Sequence, residues 1–132
     1  MALRVILDSN FLLIPSKFQI DIFEGLMNLL NQRFEPILLS STYNELQTMA
    51  EKGSPRLRKK AELALKLAGK CSIIDVEHGR EETQDNVIIR TASEWKCPVA
   101  TNDRELRNRL RAKGLPVIFL RGRGHLELEG AL

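Results

Sequence analysis

Four acidic residues in this chain have types and positions that suggest shared chemistry: Asp8, Glu45, Asp85 and Asp103. Each lies at or shortly after the end of a short apolar run. They are too far apart in sequence for local geometry to join them, so only the tertiary fold can bring their side chains together. Carboxylates that converge repel one another unless a cation lies between them, and this requirement points to a bound metal ion.

The nature of that ion follows from the ligand types. Cys71 and Cys97 are isolated, and no His lies at metal-ligand spacing, so a zinc site fits poorly. A site made only of oxygen ligands suits Mg²⁺ or Mn²⁺, held by one or two carboxylates with water and phosphate completing the shell. Such an ion lowers the pKa of a bound water and orients it for attack on a phosphodiester. The chemistry predicted is hydrolysis.

The elements that must position these acids can be predicted from two hydrophobic periods. Short apolar runs predict strands buried on both faces, and the longer segments between them have helical spacing. The five predicted strands are centred on Val5–Leu7, Ile37–Leu39, Ser72–Ile74, Val99–Thr101 and Val117–Leu120. Strands that alternate with helices predict a parallel sheet with right-handed crossovers, an α/β three-layer sandwich. Residues 1–132 suit a single domain.

Turn and cap residues agree with this alternation. Ser54-Pro55 predicts a helix start, and Gly69 and Gly114 lie where helices should end. The helical stretch 41–69 is therefore expected to form a helical hairpin. Residues 121–132 are expected to form a basic turn followed by a candidate short edge strand.

On such a scaffold the acids fall where ligands bind, at the carboxyl ends of the strands. Asp8 directly follows strand one, and Glu45 is expected in the first turn of the helix after strand two. Asp85 opens the helix after strand three, and Asp103 follows strand four. All four are therefore expected at one edge of the sheet.

Helix capping is the alternative role for each acid taken singly. Thr42-x-x-Glu45 and Asn102-x-x-Glu105 match a capping box, and an acid near a helix N-terminus gains about 0.3–1 kcal/mol from the helix dipole. By contrast, Asn10 or Ser9 could cap the helix after Asp8 and leave its carboxylate redundant. Four acids at the same end of successive strand and helix units favour a metal site over four separate caps.

The segments "VILDSN", "STYNEL", "TQDNVIIRTA" and "VATNDREL" resemble, in order and spacing, the four acidic motifs of PIN-domain nucleases. The resemblance covers nearly the whole chain. It implies a Rossmann-like PIN fold with a central parallel five-stranded sheet, and Mg²⁺- or Mn²⁺-dependent endonucleolytic cleavage of RNA.

This resemblance also implies roles for individual residues. Asp8, Glu45, Asp85 and Asp103 would be catalytic, and the three aspartates would ligate the metal. Thr101 and Asn102 would hydrogen-bond ligands or phosphate, and Asn10 would join them only if it faces the same crevice. Many family members carry adjacent acids in the third motif, whereas Gln84 precedes Asp85 here. One tightly held ion is therefore predicted, with a second arriving only with RNA.

Basic residues predict where RNA would bind. The chain carries a mild net charge of +3 and a pI near 9.1, so the distribution of charge matters more than its sum. Solvated helix faces are the ordinary explanation of such runs, but proximity to Asp103 and to the predicted hairpin favours phosphate contacts. The predicted RNA-binding residues are Arg56, Arg58, Lys59, Lys60, Arg104 and Arg107.

Several biological roles remain open. The resemblance leans towards single-domain proteins that process ribosomal or other precursor RNA. A toxin ribonuclease of a toxin–antitoxin pair and a non-catalytic RNA-binding or assembly module are the alternatives. Expected partners are RNA, a second copy of the chain, and an antitoxin or a ribosome-assembly protein. No apolar run is long enough to span a bilayer and the N-terminus is unlike a signal peptide, so a cytoplasmic location without a membrane partner is expected.

Overall fold

A computed structural model describes residues 2–132 of the chain. In chain order the elements are β1 (Leu3–Leu7), α1 (Ser9–Leu12), a 3₁₀ turn (Ile14–Ser16), α2 (Ile22–Leu30), β2 (Phe34–Leu39), α3 (Ser40–Lys52), α4 (Pro55–Ala68), β3 (Ser72–Ile74), α5 (Gln84–Trp95), β4 (Val99–Ala100), α6 (Arg104–Ala112), β5 (Val117–Arg121) and β6 (His125–Glu129). Across these residues, no helix has the length and apolar character that a membrane span requires.

The strands form one sheet in the order β3-β2-β1-β4-β5-β6. The first five are parallel to their neighbours, and β6 pairs antiparallel with β5. The predicted α/β class and the five predicted parallel strands are confirmed, and the sheet has six strands rather than five. The chain turns back after Arg121, where Gly122 takes a left-handed φ of 63°, and the candidate edge strand becomes β6.

Helices cover both faces of the sheet, which gives the predicted three layers. Successive residues of β1 pack into the hydrophobic cores on opposite faces of the sheet. Val5 and Leu7 pack with α1, α2 and α4, whereas Ile6 packs with α5 and α6. This continuous apolar pattern is what a strand covered on both sides requires. The short β3 departs from the prediction, because at the sheet edge Ile73 is 48% exposed.

The predicted helical hairpin is present as α3 and α4. Ser54 caps α4 by accepting a hydrogen bond from Leu57 N at 3.3 Å, and Pro55 is the first helical residue. A Cβ at Gly53 would lie 2.5 Å from the Met49 carbonyl oxygen, so the tight turn between the helices requires glycine. Gly69 ends α4 as predicted, and Gly114 follows α6 with a φ of 76°.

The sheet order places a crevice between β1 and β4. From β1 the chain adds strands to one side (β2, β3) and then to the other (β4, β5), so the order reverses at the β1/β4 boundary. Ligands bind at such switch points, beyond the carboxyl ends of the strands. Leu7 pairs with Ala100 in register, so Asp8 and Thr101 emerge side by side into this crevice.

Candidate active site

Asp8 lies at the floor of the crevice. Its side chain is buried, with 5% of the residue exposed, and both carboxylate oxygens accept hydrogen bonds. Oδ1 accepts from Ser9 N at 2.8 Å, and Oδ2 accepts from Thr101 Oγ1 at 2.8 Å. Asp8 is therefore itself the cap of α1, and the expectation that Ser9 or Asn10 would cap this helix is wrong.

The environment of Asp8 opposes its charge. Burial raises the pKa of the carboxyl from 3.8 to about 6, although the hydrogen bonds from Thr101 and Ser9 partly offset the effect. The negative charges of Asp85 and Glu45 make smaller contributions to this rise in pKa. The charges of the acids in the first three motifs are therefore coupled electrostatically, although Asp8 follows β1 and the other two acids lie on α3 and α5.

Asp103 makes two local hydrogen bonds, one through its carboxylate and one through its backbone N–H. It caps α6 by accepting a hydrogen bond from Leu106 N at 3.1 Å, and its own backbone N–H donates to Thr101 Oγ1 at 3.1 Å. The predicted capping box Asn102-x-x-Glu105 is therefore wrong, since Asp103 occupies the cap position. The charge of Asp103 raises the pKa of Asp85, so these two acids are coupled electrostatically.

Asp85 is half-buried in the first turn of α5, whose cap is Thr83. Burial raises the pKa of Asp85, Asp103 raises it next, Arg109 lowers it, and Glu105 and Glu45 raise it again. Among residues 2–132 its carboxylate accepts no hydrogen bond from a side chain or a helix end. The charge of Asp85 is coupled electrostatically to the charges of the other three motif acids.

Glu45 lies farther along its helix than predicted. Because α3 begins at Ser40, Glu45 is in the second turn rather than the first. The predicted capping box with Thr42 is also wrong: Thr42 is inside the helix and fully buried, and its Oγ1 has no hydrogen-bond partner in the described chain. Glu45 therefore has no capping function that would explain its position.

Three polar residues join the loops that carry the acids. Asn10 Oδ1 accepts a hydrogen bond from Asn102 N at 3.0 Å, and Asn102 Oδ1 accepts from Leu120 N at 2.7 Å. Thr101 Oγ1 lies 3.3 Å from Asn10 Oδ1 but closer to Asp8, to which it donates its single proton. Asn10 thus faces the crevice side of the loop after β4, and the ends of β1, β4 and β5 are fixed to one another.

One polar contact near the acids has no signal in the sequence. Ser41 Oγ donates to Gln84 Oε1 at 2.8 Å and so ties the start of α3 to the start of α5. These are the helices that carry Glu45 and Asp85. Ser41 and Gln84 both lie within the acidic motifs, but neither is an acid, and their contact depends on how α3 and α5 pack.

The donor set fits a hydrated Mg²⁺ or Mn²⁺ ion. Within residues 2–132 no three His, Cys, Asp or Glu side chains lie close enough together to enclose a metal ion. A hard cation does not need such a cage, because Mg²⁺ keeps several waters and binds through one or two carboxylates. Burial is the main cause of the raised pKa values of Asp8 and Asp85, and neighbouring carboxylates add to it; a bound cation would lower both pKa values. The ligand assignments stay predictions.

The predicted RNA-binding residues have different surroundings. Arg58 Nε donates to the Gly53 carbonyl at 2.8 Å and so stabilises the α3–α4 turn. Arg58 is exposed, as are Arg56, Lys59 and Arg104. Lys60 is half-buried. Arg107 lies on the ring of Phe119, with its guanidinium carbon 4.1 Å from the ring centroid. A groove lined by Glu45, Thr48, Met49, Lys52, Gly53 and Leu57 runs from the acid Glu45 to the start of α4.

The fold and this crevice define a class of protein: an α/β sandwich with a buried aspartate, Asp8, at its topological switch point. Residues 5–123 match the PIN-like domain family, and the chain belongs to that family. The prediction from the four motifs is thereby confirmed.

Known relatives of the chain include proteins with different roles. It is 30% identical to ribonuclease VapC4 of Methanocaldococcus jannaschii over 96% of this chain and 97% of that protein. It is 29% identical to the rRNA-processing protein FCF1 of Saccharomyces cerevisiae over 93% of this chain, but only 62% of the yeast protein. Among solved structures, the PIN domain endonuclease Utp24 superposes with a TM-score of 0.79 at 29% identity, over 98% of this chain and 92% of that one.

Proposed function

We propose that the protein is a metal-dependent endoribonuclease. The observation that supports this most directly is the state of Asp8: a buried carboxylate at the switch point, whose pKa is raised to about 6 by burial and by its acidic neighbours. A carboxylate held in such a place at a cost to stability is typical of a functional site. The relatives named as a ribonuclease and as an endonuclease support the same reaction.

In this proposal Asp8, Asp85 and Asp103 would hold Mg²⁺ or Mn²⁺, which when bound supplies an activated water and neutralises charge on the leaving oxygen. The other residues prepare the crevice. Thr101 orients Asp8 by donating to Oδ2, and Asn10 holds the loop that carries Asp103. Ser41 and Gln84 fix the distance between the helices of Glu45 and Asp85.

We further propose that the substrate is single-stranded or structured RNA and that the role is the processing of ribosomal or other precursor RNA. The similarity to FCF1 and Utp24 supports this role. A toxin ribonuclease is the second candidate, because VapC4 matches nearly end to end. A ribosome-assembly protein would be the partner in the first case and an antitoxin in the second. A small gene encoded beside this one and able to suppress its activity would decide for the toxin.

Cleavage of RNA by purified protein tests the proposal. The substrate is a circular single-stranded RNA, since only an endonuclease can open it, incubated with Mn²⁺ and with EDTA. Asp8→Asn should lower the rate at least ~100-fold, because it removes a ligand charge from the metal site. The matched control is Asp21→Asn, which changes an exposed aspartate that caps α2 outside the crevice.

Two results of the circular RNA assay would contradict the proposal in different ways. Wild-type rates in Asp8→Asn would show that the metal-site assignment is wrong. A folded wild-type protein that binds RNA but leaves the circle closed at all Mn²⁺ concentrations would instead establish the non-catalytic RNA-binding module.

A further inference from the structure

Two arginine side chains, one from α6 and one from β5, lie against one aromatic ring of β5. The guanidinium carbon of Arg107 lies 4.1 Å from the centroid of Phe119, and that of Arg121 lies 5.5 Å from it. Phe119 is buried, with 4% exposure, and both guanidinium groups lie within cation–π distance of its ring. Stacking on a ring holds a guanidinium flat and reduces the rotamer freedom that binding would otherwise remove.

The two arginines differ in what else they contact. Arg121 Nε donates to Glu127 Oε2 at 2.5 Å, and Glu127 Oε1 also lies 3.3 Å from His125 Nε2. Arg107, in contrast, has no carboxylate within ion-pair distance anywhere in residues 2–132. One cation is thus free of a counter-ion, and its neighbour has an exposed one. Exposed ion pairs contribute little stability and are readily exchanged for another anion.

This pair lies beside the acidic crevice. Arg107 is the fourth residue of α6, one helical turn after its cap Asp103, and Arg121 is the last residue of β5. The hydrogen bond from Leu120 N to Asn102 Oδ1 fixes the end of β5 to the loop after β4. Asp8 is two strands away, at the end of β1, which corresponds to about 10 Å at the usual strand spacing.

We propose that Arg107 and Arg121 form a phosphate clamp that holds the RNA backbone a few nucleotides from the scissile bond, with Glu127 as the internal anion that RNA displaces from Arg121. The clamp rests on the proposed function, since it names how that site holds its substrate. Arg107 provides a permanent cation and Arg121 a second one that the substrate must release. Planar guanidinium groups bind phosphate oxygens in pairs, which favours arginine at both positions.

RNA binding without divalent metal tests the clamp independently of cleavage. The probe is a fluorescein-labelled single-stranded oligonucleotide in EDTA, and its anisotropy is measured over a series of KCl concentrations. Arg107→Gln should weaken binding roughly tenfold and reduce the slope of log K against log salt by about 0.7, the value for one phosphate contact on a single strand. Arg107→Lys should keep the slope but bind less tightly than wild type, since its point charge cannot pair with two oxygens.

Glu127→Gln separates the clamp from a general loss of structure. It removes the internal anion, so RNA affinity should rise roughly threefold or more, a direction that misfolding cannot produce. Two controls change the same charges at the opposite end of the same elements. Lys113→Gln lies at the end of α6, and Glu129→Gln lies on β6 opposite Val117 and near Arg111. Both should change affinity less than twofold.

Equal effects of Arg107→Gln and Lys113→Gln would show only a diffuse charge effect and would overturn the clamp. So would unchanged or weaker binding in Glu127→Gln, or a wild-type protein that does not bind the oligonucleotide. The proposed nuclease activity is judged separately by opening of the circular RNA. A protein that cleaves but fails these binding tests would keep the activity and lose the clamp.

Discussion

The buried charge of Asp8 predicts that removing it stabilises the metal-free protein. The folded-state pKa is about 6 and the ordinary value is 3.8. Between these values the folded protein retains a proton that the unfolded chain has released, so the free energy of unfolding falls as pH rises. The difference corresponds to a cost of about 3 kcal/mol, which is fully present above the folded pKa and absent below the unfolded one.

Asp8→Asn avoids this cost because asparagine resembles the protonated carboxyl. At pH 4 the stability of the variant should match that of wild type within about 1 kcal/mol. The reason is that the amide nitrogen of asparagine and the hydroxyl of the protonated Asp8 carboxyl both replace a carboxylate oxygen that accepts a hydrogen bond. At pH 7.5 the variant should be more stable by about 2–3 kcal/mol. The gain should therefore develop between pH 4 and pH 7.

Urea denaturation in EDTA at a series of pH values measures this difference, with the fluorescence of the single tryptophan, Trp95, as the probe. Asp21→Asn is again the control, because Asp21 is an exposed aspartate outside the crevice and its replacement leaves the carboxyl of Asp8 in place. A loss of several kcal/mol in Asp8→Asn at pH 7.5 would refute the reasoning. It would mean that the ionised Asp8 stabilises the folded protein, through its cap of α1 and its hydrogen bond with Thr101, by more than its burial destabilises it.

Two further predictions concern the metal and the cap. Mn²⁺ at about 100 times its Kd should add about 2.7 kcal/mol to the free energy of unfolding of the wild type and raise its Tm by several degrees. The rise in Tm should be smaller in Asp8→Asn. Equal rises in the two proteins would contradict an ion bound by this carboxylate. Because Asp103 caps α6, Asp103→Asn should leave the free energy of unfolding unchanged, whereas Asp103→Ala should lower it by about 1 kcal/mol in urea denaturation. Both variants should bind Mn²⁺ more weakly in calorimetry. Undiminished Mn²⁺ affinity in both variants would remove Asp103 from the predicted ligands.

The strand and helix order was predictable because each element has a strong local signal. Val5–Leu7 is apolar at every position, as a strand covered on both faces must be, and Ser54-Pro55 marks a helix start unaided. The position of Asp8 at the carboxyl end of β1 follows from that strand and from the rules for parallel sheets. These inferences need no knowledge of distant contacts.

The caps were predicted less well because several residues compete for each helix start. Around residue 102 the sequence offers Thr101, Asn102 and Asp103, all suitable caps. The register of β4 with β1 decides among them: it directs Thr101 towards Asp8, and Asn102 turns to the end of β5. The Ser41–Gln84 bond likewise depends on how α3 and α5 pack, which no local pattern records.

The double role of Asp8 and Asp103 as helix caps affects how such sequences can be judged across evolution. A descendant that had lost nuclease activity would still benefit from an aspartate that starts α1 or α6, so drift would remove these two residues slowly. Glu45 and Asp85 have no comparable local duty among the described residues. Their loss in a homologue would therefore be the earlier and clearer mark of a degenerate, inactive copy.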